Sequence, residues 1–167
     1  FDSRNEFLKL VKKLKIPVVT EWNAHDLVNQ DSPFQSGRPG TIGDRGGNYV
    51  VQTSDLLIMI GCQLSIRQIS YEWQNFAKDA YKIAVNIDKE ELSKPTVKID
   101  YKINLGLKEF MTSIESLNSI NRKWNDWCRE INQKYPVVLP KHFEKEDTVS
   151  VYAFVKKLSD NLTCDDD

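Results

Sequence analysis

The sequence is poor in the residues that mark several common protein types. It holds only two histidines, His25 and His142, and three cysteines, Cys62, Cys128 and Cys164, among 167 residues. The cysteines are widely spaced and form no CxxC pair, so no zinc site is expected, and their odd number argues against a disulfide framework. A reducing, cytoplasmic setting is the expectation that follows. Charge of one sign is also lacking. A formal net charge of −1 leaves no electrostatic case for nucleic acid as a partner. The longest apolar run, Leu56–Ile60, has five residues, far short of the roughly 20 that span a bilayer. No basic-then-apolar signal peptide is present at the start, and no membrane partner is expected.

Apolar material itself is not scarce. Hydrophobic residues make up 40% and charged residues 28% of the chain, enough for a packed core and too apolar for a disordered polymer. The length fits one domain, or one domain with an appendage. Glycine is rare but concentrated. Five of the seven glycines, Gly37, Gly40, Gly43, Gly46 and Gly47, fall in one run ahead of an apparent helix. Such a loop offers free N–H groups to an anion. Its spacing matches neither a GxxxxGK[ST] phosphate loop nor a GxGxxG fingerprint, so a ligand loop and a merely tight connection both stay open.

Helical spacing of Phe7, Leu8, Val11 and Leu14 predicts an amphipathic helix running to Lys15. Ile16–Thr20 reads as a short buried strand, and residues 21–33 as a loop or irregular helix. Asp44–Thr53 reads as a helix that Asp44 caps. The continuous apolar core of 55–61 predicts a strand covered on both faces. A helix is expected over Ile69–Ala80, with Trp73, Phe76 and Ala77 on one side. Lys82–Asp88 is read as a third strand, Lys89–Leu92 as a short helix and Tyr101–Leu105 as an edge strand. Further helices are marked by Leu107, Phe110, Met111, Ile114 and Leu117, and by Trp124, Trp127, Cys128, Ile131 and Tyr135. Residues 136–147, with two prolines, read as a linker. Thr148–Leu162 reads as an amphipathic helix with Val151, Val155, Leu158 and Leu162 in a stripe. Strands alternating with helices imply right-handed crossovers and a parallel sheet between helices, with Ile16–Thr20, Leu56–Ile60 and Ile83–Ile87 as adjacent central strands. Ligands bind such sheets at the carboxyl ends of the strands.

In order along the chain, KIPVVTEWNAHDLV, GRPGTIGDRGGNYVVQTSDLLIMIGCQLSIR and AVNIDKEELSKPTVKID resemble the central domain of the thiamine-diphosphate-dependent, acetolactate-synthase-like enzymes. The resemblance covers nearly the whole chain. It implies an α/β fold with a Rossmann-like parallel sheet flanked by helices, over residues 1–120. Residues 121–147 then resemble the helix and linker out of that domain, and 148–167 the start of the C-terminal cofactor-binding domain. The family's central domain begins with a strand ahead of the first helix, in the middle of the sheet. That strand lacks a counterpart here, and its absence would leave a slot with unpaired backbone groups.

The resemblance further implies that the parent enzyme is a lyase or carboligase acting on 2-oxo acids and needing thiamine diphosphate and magnesium. In the family these bind between an N-terminal domain bearing a catalytic glutamate and a C-terminal domain bearing a GDG…N motif. The present chain has neither, so it reads as a central scaffold and inter-subunit packing domain. It carries no catalytic or metal-binding residue of its own, and its partners are the two other domains, within a homodimer or homotetramer. The alternative is a free-standing nucleotide-binding module without chemistry.

Carried over by position, Thr20, Gly40, Thr41, Gly61, Gln63, Arg67, Ile87 and Asp88 line the groove where flavin-containing relatives hold FAD and others hold a nucleotide such as ADP. Neither FAD nor another nucleotide is favoured. Ile42 replaces the usual histidine of flavin enzymes, Gln63 an arginine, Ser65 an aspartate, Asn86 an acidic residue and Gly106 the aspartate after the last strand. Each residue also has a plainer reading. Arg67 is a phosphate partner or, more simply, one half of a salt bridge. Asp88 is a ribose acceptor or the N-cap of the following helix. Arg38 and Arg45 bind a neighbouring subunit's cofactor or pair at the surface. His25 donates to a ligand or is an ordinary polar loop residue. Cys62 is read as a small core residue rather than a nucleophile, and Trp73, Trp124 and Trp127 as packing.

Overall fold

A computed structural model describes residues 3–117, 122–144 and 147–163. Three parallel strands form one sheet in the order β1 (Leu56–Ile60), β2 (Tyr81–Val85), β3 (Tyr101–Ile103). Ile58 lies opposite Ile83, and Ile83 opposite Tyr101. Helices α1 (Arg4–Leu14), α2 (Arg45–Gln52), α3 (Ile66–Ile69), α4 (Lys89–Ser93), α5 (Leu107–Ser113), α6 (Arg122–Lys134) and α7 (Val151–Asn161) complete the described secondary structure, with short 3₁₀ turns at Trp22–Ala24, Trp73–Asn75 and Pro140–His142.

The apolar residues divide into two clusters. One gathers Val51 of α2, Met59 of β1, Ile69 of α3, Ala84 of β2 and Leu92 of α4 with Phe76, Ala77, Ala80 and Val97. The other joins Leu10 and Leu14 of α1 to Met111 of α5, with Phe7, Ile16 and Ile114 against them. The 3.6-residue stripe of α1 therefore faces α5, as amphipathic spacing requires. Lys15 ends α1 in the left-handed region (φ 54°), and its N–H bonds to Val11 O at 2.8 Å.

Three expectations need correcting. Ile16–Thr20 is extended but is no strand of this sheet. Its one ladder contact is a parallel bridge between Val18 and Gln35. The Val18 N–H donates to Phe34 O, the Ser36 N–H to Val18 O and the Thr20 N–H to Gly37 O. Backbone groups alternate sides along an extended segment, so Pro17, which has no N–H, and Val19 face away from this bridge. β1 is likewise an edge. Its pairing to β2 runs through Asp55 O and the Gly61 N–H, which turns Leu56, Ile58 and Ile60 outward. Of the β1 residues only Met59 is buried, against the expected covering of both faces.

The helix expected over Ile69–Ala80 is also absent. Ser70 (φ 68°) and Ala77 (φ 43°) take left-handed conformations that an α-helix of L-residues cannot propagate. The chain instead turns to bury Phe76 and Ala77, and the Ala77 N–H donates to Gln52 Oε1 at 3.0 Å. Trp73 is left exposed. α7 forms as expected, and Val151, Phe154, Val155, Leu158 and the following Leu162 all face solvent. Only Ala153 of the helix is buried.

Candidate functional site

The carboxyl ends of the strands are flanked by the glycine loop. Asp44 organises that loop: its carboxylate accepts from the Gly47 N–H, capping α2, and from the Arg38 N–H at 2.7 Å. The Asn48 amide accepts from the Gly40 N–H and donates to Gly40 O, both at 3.0 Å. Thr41 then donates through its N–H (2.8 Å) and Oγ1 (3.1 Å) to Arg67 O. Gly40, Thr41 and Arg67 are thus brought together. The Arg67 guanidinium lies over the Trp22 ring, 5.9 Å from its centroid, and makes no ion pair among the described residues. A cation–π contact replaces the expected salt bridge.

A second group sits where β1, β2 and β3 end. Asn86 donates to Cys62 O at 3.3 Å and accepts from the Asp88 N–H at 3.0 Å. Asn104 donates to Asn86 O and Ile87 O, both at 2.9 Å. Lys94, paired with Glu91, donates to Gln63 O at 3.0 Å. Asp88 Oδ1 accepts from the Glu90 N–H at 2.8 Å, which makes it the cap of α4. The Ile87 side chain is 76% exposed. The space between these loops, bounded by Met59, Leu64, Ala84, Leu92 and Val97, is about 20 Å³, room for one water molecule.

Between the two groups lies Glu21. Its carboxyl group faces the Cys62 thiol and the Gln63 N–H, and burial raises its pKa from the ordinary 4.5. Burial also drives the Cys62 thiol far upward, with Glu21 adding to the effect. This fits a packed thiol and not a nucleophile. His25 is shifted down, first by burial and then by Arg38. Thr20, only 3% exposed, has an Oγ1 without a partner. So do Glu21 Oε1, Gln35 Nε2 and Arg38 Nε. Buried polar atoms are normally satisfied, and these four cluster on two neighbouring segments. Sequence reasoning missed Glu21, although a polar residue directly after an apolar strand-like run falls at the binding end of an α/β sheet.

The matching family model decides what this arrangement belongs to: the thiamine pyrophosphate enzyme central domain matches residues 1–114. The chain belongs to the thiamine pyrophosphate enzyme family. It is 33% identical over 135 residues to a probable acetolactate synthase large subunit of Methanococcus aeolicus, covering 78% of this chain and 22% of that protein. It is 30% identical over 148 residues to the acetolactate synthase large subunit of Porphyra purpurea, covering 84% and 25%. Against the large subunit of acetolactate synthase isozyme 1 of Escherichia coli K12 it is 26% identical over 162 residues, covering 95% and 27%. The chain spans about a quarter of the length of these relatives.

No set of three or more His, Cys, Asp and Glu among the described residues could hold a metal ion. At the strand ends the charged and amide side chains are engaged with the protein itself: Asp88 is engaged as a cap, Arg67 rests on Trp22, and Lys94 and Asn86 tie down the loop after β1. A larger space of about 210 Å³ lies beside Gly40 and Thr41, against Asn48, Gln52 and Gln68. No helix among the described residues is long and apolar enough to cross a membrane.

Proposed function

We propose that this chain is the central scaffold of a thiamine-diphosphate- and magnesium-dependent lyase or carboligase of the acetolactate-synthase kind, acting on 2-oxo acids. On this reading residues 1–120 form the central domain, 121–147 the exit helix and linker, and 148–167 the first part of a C-terminal domain. Cofactor and metal bind outside this chain, between the domains on either side, and the domain itself performs no chemistry. The observation that carries the reading is the match of 1–114 to the family's central domain. The unpaired backbone groups along the β1 edge are consistent with it, since an exposed strand edge is a ready site for a further strand. Thr20, Gly40, Thr41, Gly61, Gln63, Arg67, Ile87 and Asp88 are then the remnant of a nucleotide groove, used here to join loops.

The test is a pair of calorimetric titrations with thiamine diphosphate and magnesium, one on residues 1–167 and one on the full-length protein. No heat with the former and saturable binding with the latter, accompanied by cofactor-dependent consumption of a 2-oxo acid such as pyruvate, is the expected result. Saturable binding to residues 1–167 would overturn the scaffold assignment. A full-length protein that ignores thiamine diphosphate and binds ADP would put a nucleotide-binding module in its place.

A further inference from the structure

The most extensive helix–helix packing in the described structure joins α2 to α6, and α6 lies beyond the 1–114 segment that matches the family's central domain. Two positions on successive turns of α6, and Tyr135 directly after its end, make the joint. Cys128 is fully buried. Asn132 Nδ2 donates to Ser36 O at 3.0 Å and to Cys128 O at 2.8 Å. Tyr135 packs on Tyr49 with ring centroids 5.2 Å apart, and Arg45 lies 5.4 Å from the Tyr135 centroid.

The fit at Asn132 is close enough to dictate glycine on the other side. A methyl group at Gly46 would stand 2.4 Å from Asn132 Oδ1 and 3.1 Å from Asn132 Cα. The second contact is with backbone and could be relieved only by moving the helix. One side chain thus holds both ends of the glycine loop, accepting no side chain at Gly46 and donating to the carbonyl of Ser36. Between those two points sit the Asp44 bonds to Arg38 and Gly47 and the Asn48 bonds to Gly40. From Gly40 the contacts run on through Thr41 to Arg67 O.

We propose that α6 is a clasp on the glycine loop, with Asn132 as its positioning residue, so that the loop keeps its shape at the carboxyl edge of the sheet only while α6 is seated. A helix that leads out of the domain thereby governs the loop nearest the strand ends. The proposal stands on the contacts of Asn132 and Gly46 and does not depend on which ligand, if any, the strand ends take.

Hydrogen exchange followed by mass spectrometry on the full-length protein tests it, comparing wild type with Asn132→Asp, which keeps the shape of the side chain but places an acceptor where Ser36 O and Cys128 O need a donor. The expected result is exchange about tenfold faster over residues 36–48, the factor that one lost hydrogen bond is worth, with residues 81–85 unchanged. No change over 36–48, or equal acceleration in both segments, overturns the clasp. Should the variant not fold, exchange in wild type at increasing sub-denaturing urea decides. A clasp requires 36–48 and 122–134 to open together with one denaturant dependence, and separate openings overturn it.

Discussion

The carboxyl group of Glu21 meets the thiol of Cys62 across the gap between an extended segment that belongs to no sheet and the edge strand β1. Burial raises the Glu21 pKa above 4.5 in the folded protein. The folded state therefore holds this proton more tightly than the unfolded chain does. The stability that comes with it is fully present below pH 4.5 and is lost as pH rises through the folded value. Glu21→Gln keeps a neutral side chain at every pH. The difference in stability between variant and wild type should grow in favour of the variant as pH climbs from 4 to 7. Urea denaturation across that range checks it, and His25, present in both proteins, cancels. A difference that stays constant would show that burial does not raise the Glu21 pKa.

Burial moves both described thiols out of the reactive range. Cys128 is pushed up to about 12, and burial drives Cys62 upward as well. In a Cys164→Ser background, alkylation at pH 8 should be roughly a thousandfold slower in the folded protein than in urea, since only the thiolate reacts. Rapid native labelling of Cys62 would mean that the Glu21 contact opens readily.

The glycine loop offers a pair of variants with different magnitudes. Asp44→Ala removes the α2 cap and the Arg38 bond together and should cost about 1–2 kcal/mol. Gly37→Ala should cost more. Gly37 sits at φ +117°, and an added methyl would lie 2.4 Å from Gly47 Cα, so backbone strain of about 1–3 kcal/mol is joined by a backbone collision. Chemical denaturation ranks the two, and an Asp44→Ala loss larger than the Gly37→Ala loss would contradict this account.

We propose that a strand preceding α1 would pair with the free edge of β1, at Leu56, Ile58 and Ile60. A strand joined through α1 to Ile16–Thr20 would lie parallel and beside it by the right-handed crossover rule. In the full-length protein the Leu56, Ile58 and Ile60 amides should therefore be protected from exchange. In residues 1–167 alone they should exchange at rates near those of an unfolded chain, and the segment should be of marginal stability. Equal protection in both would remove the need for any such strand.

Much of this architecture was legible because its elements are locally determined. Leu56–Ile60 announces itself as a continuous apolar run. Asp44 marks the start of α2 by its cap chemistry, and the α1 and α6 stripes have helical spacing. Asp88 was recognisable as a cap for the same reason. Where the decisive partner is distant in sequence, the reading failed. Nothing around Ile16–Thr20 indicates that its hydrogen bonds go to Phe34–Gly37. The expected helix over Ile69–Ala80 has the right spacing but loses to the burial of Phe76 and Ala77, which needs Gln52 to receive the Ala77 N–H. For Arg67 a sequence offers a phosphate partner or an ion pair because charge is visible in it, whereas the facing ring of Trp22, 45 residues earlier, is not.

The solvent-facing stripe of α7 has a practical side. Val151, Phe154, Val155 and Leu158 on one helix make a sticky ridge on any protein that ends soon after it. Residues 1–167 prepared alone should self-associate as concentration rises, with scattering that grows faster than linearly. Ending the polypeptide at Glu144 removes the ridge while leaving α6 seated on α2, and the shortened protein should stay dispersed at concentrations where the longer one clouds.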